Sequence, residues 1–305
     1  MRKFKLFIVL ITVLFSMDCY SQQDPEYTQY MYNMNVLNPA YAGSKGTLSI
    51  NLLGRAQWVN IKGAPRTYSL SVHAPVRENI GIGLSVIADE IGPVKEQNIY
   101  ADFSYTVNTS TVGKLAFGFK GGITLHNLDA LSLMAIDPND PFNLDLNNKT
   151  FPNFGAGIFY YTDRFYVSLS VPNILEQRHF EKDNGVYKAA EKAHYFLTGG
   201  YVFDISENWK FKPSTMVRAQ PETPLSVDIS ANFLFNNIVE LGASYRLDDS
   251  ISGLVNFSIT NNFRIGYAYD YTTSNLGDFN DGSHEVFLLW DLDFSRDNVD
   301  SPRFF

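Results

Sequence analysis

Cysteine is nearly missing from this sequence: the 305 residues hold one, Cys19, and it falls inside an N-terminal stretch that reads as a leader. A chain without a cysteine pair takes no stability from disulfides, so closure of the fold itself must supply it. Nor does any later segment offer the ~18 uninterrupted apolar residues of a membrane-spanning helix. Charge is scarce at 18% and its balance is acidic, net −8, which argues against a nucleic-acid partner. The five histidines (His73, His126, His179, His194, His284) show no metal-ligand spacing, and His284-Glu285 lacks the second histidine of a zinc-protease helix. There is no G-x-S-x-G elbow and no phosphate-binding loop. The reading is a non-enzyme without a cofactor. Two acidic loops, Asp137 to Asp145 and Asp278 to Gly282, are rich in oxygen ligands. The second falls one residue short of a calcium loop, and solvated acidic loops are far commoner than calcium sites.

What is abundant is alternation. Leu225, Val227, Ile229, Ala231, Phe233 and Phe235 alternate with Ser226, Asp228, Ser230 and Asn232. The pattern repeats from Val239, from Ile251, from Phe263 and from Val286, so that residues 223–294 read as five strands with one apolar and one polar face. Leu288, Trp290 and Leu292 belong to the apolar face. Asn236-Asn237, Asp248-Asp249 and Asn261-Asn262 suit tight hairpin turns, because Asn and Asp tolerate positive φ. Strands of about ten residues are long for a soluble sheet and fit a tilted strand crossing a bilayer. Aromatics reach 15%. Further strands are predicted over Thr47–Trp58, Arg66–Ala74, Asn79–Asp89, Gln97–Val107, Gly113–His126, Pro152–Thr162, Arg164–Val171, Ala193–Asp204 and Asn208–Gln220. The predicted fold is all-β: a transmembrane antiparallel barrel of about fourteen strands. Pro213 falls inside a strand, where a bulge is expected. Lumen charges of both signs (Arg55, Lys114, Lys120, Lys210, Lys212 and Arg218 against Asp102, Asp228, Glu240 and Asp291) are expected to pair across the interior.

Residues 1–21 read as a secretory signal, with Arg2, Lys3 and Lys5 before a short apolar core. Residues 22–46 have no period two and hold many aromatics, among them Tyr27, Tyr30, Tyr32 and Tyr41, with Asn38-Pro39 as a turn signal. They are either a periplasmic extension or a plug entering the barrel. Residues 47–294 are the barrel and 295–305 a periplasmic tail. With the first strand starting in the periplasm, connections after even strands are short. The long ones, Asn127–Phe151, Pro172–Lys192 and Thr273–Ser283, fall outside, as bacterial barrels require. The outer loops carry Leu131, Met134, Phe142, Leu144, Ile174 and Leu175, which mark a binding surface or fold back over the mouth.

Gln23-Asp24-Pro25, Tyr27-Thr28-Gln29-Tyr30-Met31 and Asn38-Pro39-Ala40-Tyr41-Ala42-Gly43 resemble the mature N-terminus of the PorP/SprF family, and Ser301-Pro302-Arg303-Phe304-Phe305 is similar to its ending, with Phe304 where tyrosine is common. The resemblance covers the whole mature chain. It implies a non-enzymatic barrel of the cell outer membrane in type IX secretion and gliding, helping large adhesins reach or stay at the surface. It also implies a periplasmic, peptidoglycan-linked partner. The expected partners are then a secreted adhesin or its C-terminal domain at the outer rim, the periplasmic component at Arg303, Phe304 and Phe305, and outer-membrane lipid. The competing reading is a hatch-gated transporter of small hydrophobic substrates, similar to the fatty-acid channels, for which Asn38-Pro39-Ala40 resembles a hatch motif.

Overall fold

The alternating segments fold as strands of one sheet that closes on itself. The structure, a computed structural model, describes residues 25–128, 146–175, 177–178, 190–221 and 223–293. The first seven strands are β1 (Leu48–Ala56), β2 (Arg66–Arg77), β3 (Ile80–Ile91), β4 (Val94–Asn108), β5 (Lys114–Leu128), β6 (Leu146–Tyr161) and β7 (Phe165–Val171). The others are β8 (Tyr195–Tyr201), β9 (Trp209–Ala219), β10 (Ser226–Phe235), β11 (Val239–Arg246), β12 (Ser250–Thr260), β13 (Phe263–Thr272) and β14 (Ser283–Leu292). Each pairs antiparallel with its neighbours in sequence, and β1 pairs with β14, which closes a 14-strand barrel. Closure leaves no sheet edge to satisfy in lipid.

The two faces sort as the alternation predicts. Leu84 (52% exposed) and Phe119 (53%) point out of the ring, while Ser85 and Lys120 (both 0%) point into it. Asn236 and Asn237 take φ of 50° and 56°, and Asp248 takes 58°, as tight hairpins demand. The third turn differs. Asn261-Asn262 follows a register shift between Ser258 and Thr260, so a bulge replaces positive φ there. Pro213 also differs from expectation: β9 keeps continuous register with β10 from Trp209 to Arg218. The break appears in its other neighbour. β8 stops at Tyr201 and resumes over Phe203–Asp204, opposite the proline that has no N–H to give.

Strand length is uneven. β4 and β5 have 15 residues and β6 has 16, against seven each in β7 and β8. Because β5 and β6 extend to Leu128 and from Leu146, Leu128 and Phe151 are strand residues rather than loop residues. Trp58 lies past the end of β1 in the rim connection, with φ 43°. The expected leader, the tail 295–305, and Leu131, Met134, Phe142 and Leu144 lie outside the described residues, as do His179 and the acidic loop Asp137 to Asp145.

Candidate functional site

Residues 26–46 lie within the ring of strands. The path begins among residues at the outer ends of strands, Arg218 and Arg246, and finishes at the inner end, where Lys45 meets Asp291 at 2.9 Å. Three short helical turns carry it: Tyr30–Tyr32, Met34–Leu37 and Pro39–Tyr41. Pro39 explains the last of them. It holds Asn38 extended (φ −138°, ψ 113°), and the Asn38 side chain caps the turn by accepting from Ala40 N at 2.8 Å. Tyr27, Tyr30, Tyr32, Asn38, Pro39 and Tyr41 are all buried, Tyr30 and Asn38 completely.

The first half of this segment meets charge. Arg55 lies 2.7 Å from Asp270 and 3.2 Å from Glu285. Thr28 N and Gln29 N donate to the Glu285 carboxylate at 2.9 and 2.8 Å, and the Thr28 hydroxyl donates to Asp270 at 2.7 Å. Glu26 accepts from Arg218 and Arg246, and Arg246 also donates to Asp228 at 2.7 Å. Tyr32 donates to Glu240, which also accepts from Asn232, while the Lys212 ammonium stands 5.2 Å from the Tyr32 ring centre. Burial would raise the Glu26 carboxyl, but Arg246 and Arg218 outweigh it and hold the group at about 2. Burial and then the Glu240 charge push the Tyr32 phenol well up, so it stays a donor.

The wall pairs are not the cross-lumen pairs that the sequence suggested. Arg55 and Glu285, Asp102 and Lys120, and Asp228 and Arg246 are register partners on adjacent strands. Lys114 is exposed at the inner rim, and Lys210 donates to Asn237 at 3.0 Å there. The N-terminal segment then caps the in-register pairs with its own groups. This satisfies buried charges that would otherwise be costly.

The second half meets glycine. A Cβ on Gly118 would fall 2.0 Å from Ala40 N, and one on Gly81 would fall 2.1 Å from Ala42 O. Only a residue without a side chain lets the two backbones approach this closely. Between them, Asn35 donates to Asp102 at 3.1 Å, Lys120 donates to Val36 O at 2.8 Å, and Asn38 donates to Ser168 at 2.7 Å. Gly43 N donates to His73 Nδ1 at 3.2 Å, which gives that histidine a structural partner.

Apolar contacts join the halves. Tyr32 stacks on Phe287 with ring centres 4.6 Å apart, and Tyr41 meets Phe159 edge-on at 5.3 Å. Phe159, Tyr166, Phe196, Met216, Phe287 and Leu289 face inward and form one buried cluster with the segment. Sequence reasoning missed these residues. The usable signal was Val286-Phe287-Leu288-Leu289-Trp290, an unbroken apolar run in a strand otherwise alternating. Such a run means both faces are covered.

Of the expected rim residues, Ile174 and Leu175 are exposed at 45% and 39% beyond β7. Among the described residues, no three His, Cys, Asp or Glu side chains are grouped to hold a metal. Asp281 and Asn280 of the second acidic loop accept hydrogen bonds within the outer rim, from Asn60 and from Gly282 N.

The model for "Type IX secretion system membrane protein PorP/SprF" matches residues 20–290, a stretch that holds the N-terminal motifs and the whole described barrel up to β14. The chain belongs to that family. It is an outer-membrane barrel of type IX secretion. Among solved structures it is similar to the CymD monoaromatic hydrocarbon channel (TM-score 0.52, 10% identity, 88% of this chain and 94% of that one). It is also similar to the Ralstonia pickettii toluene transporter TbuX (TM-score 0.51, 9% identity, 87% and 93%). At such identities the likeness is one of fold. No curated protein matches the chain.

Proposed function

We propose that this PorP/SprF barrel is a non-enzymatic component that assists secretion or surface anchoring of a large adhesin, acting through its rims rather than as a channel. The observation that carries this reading is the lumen segment: residues 26–46 pass from the outer to the inner end and are tied by buried ion pairs and seated on glycines. A barrel filled by its own chain has its two rims left for work. The outer loops, with Ile174 and Leu175, are assigned to the adhesin or its C-terminal domain. Residues 302–305 are assigned to the periplasmic, peptidoglycan-linked component. The signal at 1–21 and a role in gliding belong to the same proposal.

The competing reading is a hatch-gated transporter of small hydrophobic substrates, favoured by the lumen segment's resemblance to a hatch. One deletion strain separates the two. Loss of the protein should strip an adhesin from the cell surface and leave uptake of toluene-like compounds unchanged. Retained adhesin with impaired uptake would reverse the assignment. Trimming the outer loops should release adhesin while periplasmic co-purification persists, and removing residues 302–305 should do the opposite.

A further inference from the structure

The outer wall of β14, β1, β2 and β3 carries a feature that the lumen does not use. Leu288, Leu52, Leu70 and Val86 stand side by side in register. Two residues nearer the outer rim, the row reads Val286, Gly54, Tyr68 and Ala88. Gly54 and Ala88 are small between larger neighbours, and these two rows line a cavity of about 410 Å³ open to the membrane. Local packing does not demand the glycine. A Cβ at Gly54 would meet only the Tyr68 ring, at 3.4 Å, and its φ is not positive. The gap is therefore space for something outside the barrel.

The next row toward the rim changes character. It holds His284, Ala56, Arg66 and Glu90, and a second cavity of about 530 Å³ begins there, lined by Lys62, Arg66 and Glu90. Glu90 is engaged by Lys95 at 3.5 Å. Lys62, Arg66 and Lys95 are exposed, so three cations stand against Glu90 and Asp281, the latter held by Asn60 of the same cavity, directly above an apolar groove. Short turns and longer connections place this end of the barrel outside. An apolar groove at hydrocarbon depth under a cationic shelf matches an amphiphile with acyl chains and anionic head. The cations are spread over a loop and two strands, wider than one phosphate.

We propose that this wall binds a multiply phosphorylated, multiply acylated lipid of the outer leaflet, of the lipid A class. Phosphates meet Lys62, Arg66 and Lys95, and an acyl chain lies over Gly54. The site lies on the wall and rim of β14 to β4, away from Ile174 and Leu175 beyond β7, so it stands or falls independently of the adhesin reading.

The test titrates the full-length barrel in neutral detergent with fluorescent lipid A, with phosphatidylglycerol and inorganic phosphate as competitors. Lipid A should bind about tenfold more tightly than phosphatidylglycerol, and inorganic phosphate should not compete. Lys62→Glu combined with Arg66→Glu should weaken lipid A about tenfold, and Gly54→Leu should weaken it severalfold. The rim pair is solvent-exposed, so heat-modifiable migration should persist in that variant and show that the barrel is intact. Equal affinity for lipid A and phosphatidylglycerol, or wild-type affinity in the rim double variant, overturns the proposal.

Discussion

The two halves of the lumen hold the same segment by opposite means. On the side built by β1 and β9 to β14, the wall offers Arg55, Asp228, Glu240, Arg246, Asp270 and Glu285, and the segment answers with Glu26, Thr28 and Tyr32. On the side built by β3 to β7, the wall withdraws, with Gly81, Gly118 and Gly157 each leaving a side-chain space that the segment enters. Charge is directional and fixes which residue sits where. Glycine is permissive and fixes how near the backbone can come. The first is sensitive to losing a partner and the second to gaining an atom, so substitutions of opposite kinds should break the two halves.

The largest effect is expected on the charged side. Arg55→Met leaves Asp270 and Glu285 buried together without their cation, and breaking a buried pair costs about 3–5 kcal/mol. Unfolding by urea, followed as loss of heat-modifiable migration, should move to lower denaturant by that amount. Asp270 and Glu285 replaced together with it by Asn and Gln should recover part of the loss, because the uncompensated charge is then gone.

Next comes the glycine side. Gly118→Val drives atoms into the Ala40 backbone, and overpacking of this kind costs about 1–3 kcal/mol. Gly253 is the control, since nothing lies within 4 Å of a Cβ built there. Gly253→Val should be near neutral in the same assay. Single-channel conductance in planar bilayers should rise for Gly118→Val and stay at the wild-type level for Gly253→Val. Equal conductance in both would mean that the glycine seat does not hold the segment in place.

How much of this was legible follows from what alternation reports. Period two gave the faces of β10 to β14, the strand total and the short turns at the inner end, because each depends on local sequence. It could not give what the inward face touches. Phe287 and Leu289 point into a lumen that holds chain rather than water, so their apolar character broke the pattern that was being counted. Most of the charges were read correctly as lumen residues, while Lys114 and Lys210 sit at the inner rim. Their partners were not, since Arg55 pairs with Glu285 through strand register, which two-residue periodicity leaves undetermined. Pro213 was read as a flaw in its own strand, whereas the missing donor shows in β8, the strand paired directly with it. Glycines of the seat looked like ordinary inward positions because closeness of a second backbone has no signature in either strand.

A smaller effect separates hydrogen bond from charge on the charged side. Tyr32→Phe removes one donor from Glu240, while Asn232 still donates to it and Arg264 remains 3.8 Å away. The loss should be about 1 kcal/mol, since one of several partners is removed. A loss as large as that of Arg55→Met would mean the tyrosine, rather than the ion pairs, anchors the segment.

The last test, and the sharpest for the comparison, concerns Glu26. Arg246 and Arg218 lower its folded value to about 2 from the ordinary 4.5, despite the opposing cost of burial. A depressed carboxylate contributes stability that is complete above the unfolded value and disappears as pH falls through the folded one. Its contribution should therefore be constant from pH 8 to 5 and decline only between about 4.5 and 2. The measurement is the difference in urea midpoint between wild type and Glu26→Gln at several pH values. Carboxylates that do not share its arginines titrate alike in both proteins and cancel in that difference, whereas Asp228, on the same Arg246, does not. Convergence of the two curves below pH 4.5 places the carboxylate between its arginines. A difference that keeps its size down to pH 2 would show that Glu26 works through packing, and the charged half would then hold the segment by fit, as the glycines of the other half do.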